Sequence, residues 1–514
     1  MQAQSPAPAP TLAPTPIPTP TPTPTPPPTP PPIIVTPEAA QAPVGIPSTL
    51  QVSSVIPPIA ATAANPSIVS IAVDQQTQVV TLTGVTPGTT VVTISDARGL
   101  TKAVPVTVAY QAGTIPQTLA LRISGDPATA DFVRGSVVDA AIAAAQLRPG
   151  AQAVVGPDDV SFSGELGEDD VSYVPVNWLT QGEQYFSVTG TSRVRVENVA
   201  VPRISPDVLM VSDFPESLTE DGVLFSAELK PNVPSRFLFY HYNPPSQPDR
   251  RIVLRAVNDN PEPALVQFIT GLGGPDSNEM EAGHDATKAF LVRMIQNEGR
   301  LITIPANSSL NLVDVGLPHG TTVSALLQLR LLEGAHVHLM LFAQNETADP
   351  NATITQTDLL VGAKRHARGI YLVPEFHEAQ SWSVEDPYLQ LQVGRLPLQN
   401  SMQGYALSGD YGVLQAFVVN VENPTGDPQP VAIYENPRGG AATGTFLIDG
   451  VLVQSHQVPA FSRYKLRQYV VPAHGFVRIT LVTMPEGGSS YPLDLIFAPD
   501  DGSVAPGAPG SPVY

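Results

Sequence analysis

The chain has no cysteine among its 514 residues. That excludes a thiol nucleophile, a disulfide framework and any zinc or iron–sulfur site built on thiolates. Gly-x-Ser-x-Gly is absent, as are Gly-x-x-x-x-Gly-Lys and a strand–Gly-x-Gly-x-x-Gly–helix unit. Nothing therefore indicates a serine-hydrolase elbow or a phosphate-cradling loop. No apolar run approaches the roughly 18–20 residues of a membrane helix. Charged residues make up only 14% and aromatics 6% of the chain, with two tryptophans. Positive charge is the scarcer sign: 26 Lys and Arg stand against 46 Asp and Glu, a formal charge of −20. Such a field repels nucleic acid and anionic lipid, so neither is an expected partner. Lys364-Arg365-His366-Ala367-Arg368 is the one dense basic patch.

Proline is abundant, with 57 residues, and 18 of them fall in the first 47 positions. Residues 1–37 carry no charge, and Thr-Pro pairs recur from Thr15 to Pro26. Proline favours extended polyproline II, so 1–47 is expected to be a disordered, semi-rigid stalk. Stalks of this composition suit cell surfaces, so export is expected, with a signal peptide removed before residue 1. The tail 501–514 is also expected to be disordered.

The expected fold class is mainly β: an array of β-sandwiches with one small α+β domain. Over 48–110, short β-rich runs are divided by Thr86-Pro87-Gly88 and Asp96-Ala97-Arg98-Gly99. With Asn65-Pro66-Ser67-Ile68-Val69, Leu82-Thr83-Gly84-Val85 and the closing Val104-Pro105-Val106-Thr107-Val108, this stretch resembles the bacterial immunoglobulin-like domains. The resemblance implies a spacer or adhesive module without catalytic residues. Residues 114–203 are expected to form the α+β domain. Its helix is capped by Asp126 ahead of Pro127, and Phe132, Val133, Val137, Ala140, Ala141 and Ala144 make its apolar face.

Beyond residue 204 the motifs repeat. Val257-Asn258, Gly273-Gly274, Phe290-Leu291, Pro305-Ala306-Asn307-Ser308 and Pro318-His319-Gly320 find counterparts, in the same order, in the second half. These are Val421-Glu422-Asn423, Gly439-Gly440, Phe446-Leu447, Pro459-Ala460-Phe461-Ser462 and Pro472-Ala473-His474-Gly475. Two homologous sandwiches are expected, over 204–345 and 395–500, with 346–394 bridging them. The first copy carries an insertion, Asn278–Ala289, that reads as a short helix.

Few residues suggest chemistry. His336 and His338 lie two apart in a strand-like run, so both imidazoles face one side and could share a metal, although no third ligand is indicated. In the insertion, Glu281, His284 and Asp285, with Glu279 nearby, have the spacing of one helix face. His319 and His474 fit turn positions. Asp158-Asp159 and Glu165 with Glu168-Asp169-Asp170 form an acidic loop without EF-hand spacing. Val257-Asn258-Asp259-Asn260-Pro261 resembles the calcium linker of cadherins only superficially, since Ala256 stands where an aspartate belongs. Tyr240, Tyr242 and Trp382, with Phe376 nearby, are the aromatics that exposed sugar-binding faces would use. No cofactor and no catalytic set is indicated. The leading expectation is an exported, non-enzymatic surface or matrix protein for adhesion or assembly with other surface components. A polysaccharide-binding envelope protein is the alternative, and a metal-dependent hydrolase a third reading.

Overall fold

The computed structural model describes residues 30–349, 351–352, 358–362, 366–402 and 404–503. Most of the proline-rich stretch, Lys364, Arg365 and the tail from 504 lie outside them. The described residues are mainly strand, with two α-helices, α1 (Ala130–Ala143) and α2 (Glu279–Ile295). Neither is long and apolar enough to cross a membrane. The chain divides into two compact units, the first essentially residues up to 113 with short returns at 147–152 and 180–188.

In the first unit, two four-stranded sheets enclose an aliphatic core. One runs Ile34–Thr36, Pro47–Ser53, Val79–Gly84, Val69–Asp74, and the other Ala40–Pro43, Thr101–Ala109, Gly88–Ser95, Ala60–Ala63. Period-2 alternation explains the pairing: Val104, Val106 and Val108 point inward while their neighbours face out. This corrects the stalk boundary. Residues 33–47 belong to the sandwich, because Ile33, Val35, Ala40 and Ala42 join its core. The density of proline masked that alternation.

The second unit is built on a ten-stranded sheet. Its order is Gln152–Val154, Val171–Gln181, Val188–Asn198, Thr118–Ser124, Gly299–Ile304, Ala264–Asp276, Thr321–Glu333, Ser235–Asn243, Val208–Ser212, Arg368–Tyr371. The predicted α+β domain is therefore not separate. Ile123 and Ser124 pair with Arg300 and Gly299, which continues the sheet of the first sandwich. Its helix also starts later than expected. Ala128 and Leu166 exchange two backbone hydrogen bonds of 2.9 Å, holding the chain extended past Asp126, and Thr129 caps α1. The facing sheet of this sandwich runs Gly222–Leu229, Val337–Asn345, Arg250–Asn258, Ser308–Leu317.

The second sandwich packs the sheet Glu375–Ser383, Leu414–Asn423, Gly475–Thr483, Ala442–Ile448, Val451–Val458 on the sheet Leu389–Val393, Leu493–Pro499, Gln429–Pro437, Tyr464–Val471. It thus begins near 375 rather than 395. The expected bridge is split: Arg368–Tyr371 closes the ten-stranded sheet, and the next two strands belong to the second sandwich.

Of the repeated motifs, the Asn258 and Asn423 loops occupy equivalent places, and other expected pairings shift or fail. Asn258 Nδ2 donates to the carbonyls of Glu262, Ile304 and Pro305, and Asn423 Nδ2 to those of Asp427, Val471 and Pro472. Asn307 N–H then bonds Asn260 O as His474 N–H bonds Thr425 O, and both Asn307 and His474 have positive φ. So His474 matches Asn307, not His319. Phe290-Leu291 and Phe446-Leu447 are not equivalent either: the first pair lies in α2, the second in a strand.

Helix α2 joins the two sandwiches. It lies against the Ala264–Asp276 strand, where a Cβ at Gly273 would sit 2.0 Å from Ala282 O. On its other side a Cβ at Gly283 would sit 1.7 Å from Gly487 O of the second sandwich. Phe290 and Leu291 share a buried cluster with Leu209, Leu238 and Ile269 of the first sandwich and Leu414, Leu447 and Met484 of the second.

Candidate functional site

The insertion residues separate in space. His284 is fully buried, Asp285 is exposed, and Glu281 is half-buried with its carboxylate 3.4 Å from His456 Nδ1. His284 Nδ1 lies 3.0 Å from Glu486 Oε2, and Nε2 lies 3.1 Å from Gln454 Oε1. Thr443 and Thr445 hydroxyls donate to the same carboxylate at 2.5 and 2.6 Å. Burial is the largest single influence on the imidazole and favours the neutral form, but Glu486, Gln454 and Glu281 together oppose it and the pKa is raised. With Glu486 at one nitrogen and Gln454 at the other, His284 fastens α2 to the second sandwich. It has no open face for a substrate.

His336 and His338 do face one side, their rings 5.1 Å apart. A third group that the sequence did not suggest stands beside them. Asp259 Oδ1 is 2.8 Å from His336 Nε2, and Oδ2 is 3.5 Å from His338 Nε2. The other histidines and acids are engaged locally. His319 Nδ1 meets Asp249 at 2.7 Å, and His366 sits between Asp213 and Glu216. Asp159 closes the turn at Gly156, and Asp169 accepts from Ala200 N–H.

Two of the three aromatic candidates are buried rather than presented to solvent. Trp382 lies in the core of the second sandwich and Tyr240 is 5% exposed, while Tyr242 is half-buried. Tyr240 lies in a strand buried on both faces, Ser235–Asn243, and Trp382 is the one buried residue of the largely exposed strand Glu375–Ser383. Tyr240 lines a smaller pocket of about 180 Å³ with Asp213, Glu216, Glu279, His366 and Tyr411. Burial raises the Asp213 carboxyl to about 6, with His366 opposing.

The larger feature is an open cleft of about 780 Å³ at the edge of the second sandwich. It runs between two edge strands, Glu375–Ser383 of one sheet and Leu389–Val393 of the other. Phe376, His377 and Glu378 line it from the first, and Gln390, Leu391 and Gln392 from the second, with Arg395, Leu396, Phe417, Asp410 and Gln415 completing it. Asp410 and Gln415 are 2% and 3% exposed, yet Asp410 Oδ1 and Gln415 Nε2 have no hydrogen-bond partner among the described residues. Burial lifts the Asp410 carboxyl to about 7. Phe376 pairs directly with Gln415 across the parallel strands. Behind it, the buried Arg236 holds Pro374 O at 2.8 Å and Glu375 Oε1 at 2.9 Å, which fixes the strand carrying Phe376. Asp410, Gln415 and Arg395 carry no motif; Gly409-Asp410-Tyr411-Gly412 signals only a turn. A second groove, of about 760 Å³, holds the exposed Phe476 with His474 and Arg478.

No protein-family model matches this sequence, and no curated protein matches it. Among solved structures, the human desmocollin-1 ectodomain aligns at 11% identity over 39% of this chain and 45% of that one, with a TM-score of 0.13. The M60 catalytic domain of Clostridium perfringens ZmpB with its two CBM51 domains aligns at 9% identity over 88% and 53%, with a TM-score of 0.15. A Bacteroides ovatus mixed-linkage glucan locus protein, SGBP-B, bound to a heptasaccharide, aligns at 11% over 57% and 71%, with a TM-score of 0.14. The chain spans about half the length of the first two. TM-scores this low do not amount to a shared fold.

Proposed function

We propose that this chain is an extracellular or cell-envelope binding protein that acts without catalysis, and that its ligand class is polysaccharide. The observation that supports this best is the cleft holding Asp410 Oδ1 and Gln415 Nε2. A buried polar atom without a partner costs free energy, and a ligand hydroxyl would satisfy one donor and one acceptor at once. Gln390, Gln392 and Arg395 add donors and acceptors along the rim, and Phe376 offers an apolar surface for the C–H face of a sugar ring. In this reading the first-unit sandwich is an immunoglobulin-like spacer. A glycan array probed with the full chain tests the proposal. Hits that disappear in Gln415→Ala support it, and an array without hits removes it.

Adhesion or assembly with another surface component is the second reading. The cleft is bordered by two edge strands, whose unpaired backbone groups can accept an added strand from a partner. Concentration-dependent assembly in solution, with no glycan hits, would favour it.

A further inference from the structure

We propose that Asp259, His336 and His338 form a binding site for one divalent transition-metal cation of the zinc class. The site follows from strand register. Val257 pairs with His338 across the antiparallel strands Arg250–Asn258 and Val337–Asn345. Continuing that register by two residues sets Asp259 opposite His336, and side chains two apart on a strand share a face. The three groups therefore converge, and one ligand atom from each lies within 4.8 Å of the others. Zinc bound tetrahedrally at about 2.0–2.2 Å sets its ligands roughly 3.3 Å apart. Asp259 Oδ1 stands 2.8 Å from His336 Nε2 and Oδ2 stands 3.5 Å from His338 Nε2, separations of that order, with one carboxylate oxygen turned to each imidazole.

The loop that carries Asp259 is held on both sides of that residue. Asn258 is fully buried and binds three carbonyls, at 2.9, 3.1 and 3.1 Å. Asn260 Nδ2 donates to the backbone carbonyl of His336 at 2.8 Å, so the loop carrying Asp259 is tied to the strand carrying the imidazoles. Supporting bonds of this kind fix metal ligands before the ion arrives. Two imidazoles and one carboxylate suit zinc, copper(II) or nickel(II). They do not suit calcium or magnesium, which take oxygen donors. The side chains are 57%, 33% and 44% exposed, which leaves the fourth position open to water or to a donor from a partner. The equivalent loop of the second sandwich has the same asparagine, Asn423, but Pro424 in place of Asp259. The acid is thus not needed for the turn itself.

Calorimetric titration of the full chain with zinc chloride, metal-free and at pH 7.5, tests this. One zinc per chain is expected. Asp259→Asn should weaken binding by at least the roughly 10–100-fold that loss of a supporting partner costs a metal site. The double variant His336→Ala/His338→Ala should abolish it, with metal-free melting unchanged in both variants. Cobalt(II) should give the intense visible bands of a tetrahedral site in the wild type and lose them in the double variant. No stoichiometric zinc binding would leave a plain Asp–His ion pair and overturn the proposal. Equal binding by the double variant would also overturn it, and would move the metal elsewhere, with Glu281 and His456 the next pair to test.

Discussion

Glu435 lies in the strand Gln429–Pro437, fully buried, and neither carboxylate oxygen has a hydrogen bond in normal geometry. Burial raises its pKa to about 8, opposed by the Ser455 hydroxyl and reinforced by the Glu486 charge. An unfolded glutamate titrates near 4.3. Between those values the folded chain keeps a proton that the unfolded chain loses, so stability falls as pH rises from about 4.3 to about 8. Glu435→Gln should remove this loss: its melting temperature should exceed that of the wild type by several degrees at pH 8.5 and match it near pH 4.5. Thermal melts at both pH values check this. The paired asparagines give a second expectation. Asn258→Ala and Asn423→Ala each strand three carbonyls, and each should cost about 3 kcal/mol in denaturant unfolding. Asn258 and Asn423 stood out in the sequence as members of a repeated motif. Their role did not, because a strand residue and a residue that knots three carbonyls look alike until the loops around them are in place.

Strands and helices were largely legible. Alternation in Val104–Val108 and the apolar face of α1 come directly from periodicity, and Asn278 caps α2 where a helical insertion was expected. What failed was length and boundary. α2 continues to Ile295 because Phe290 and Leu291 are buried in the cluster shared by both sandwiches, a tertiary effect no local window contains. The Gly283 contact makes a sharp test. A methyl group there meets the Gly487 carbonyl, so Gly283→Ala should destabilise the docking of α2 although alanine favours helix. His284→Ala should act in the same direction, by about 3–5 kcal/mol, since it takes from the buried Glu486 carboxylate its imidazole partner. Hydrogen exchange confined to α2 and the Val451–Val458 strand would report both.

Across the molecule, the sequence announced a mainly β protein, and the structure is one. The separation into beads was overstated: Thr118–Ser124 joins Gly299–Ile304 through backbone groups at sheet edges, and no residue pattern encodes which edges meet. The same is true of the cleft, which arises where two edge strands face each other and gathers Phe376, Gln390 and the Asp410–Gln415 stretch from three segments. Binding in that cleft is most directly measured by calorimetry with the best glycan from an array. The wild type and Phe476→Ala, altered in the other groove, should bind alike, and Phe376→Ala and Gln415→Ala should each bind roughly tenfold more weakly, the worth of one buried contact. Unchanged affinity in both cleft variants, or loss in Phe476→Ala instead, would contradict the assignment.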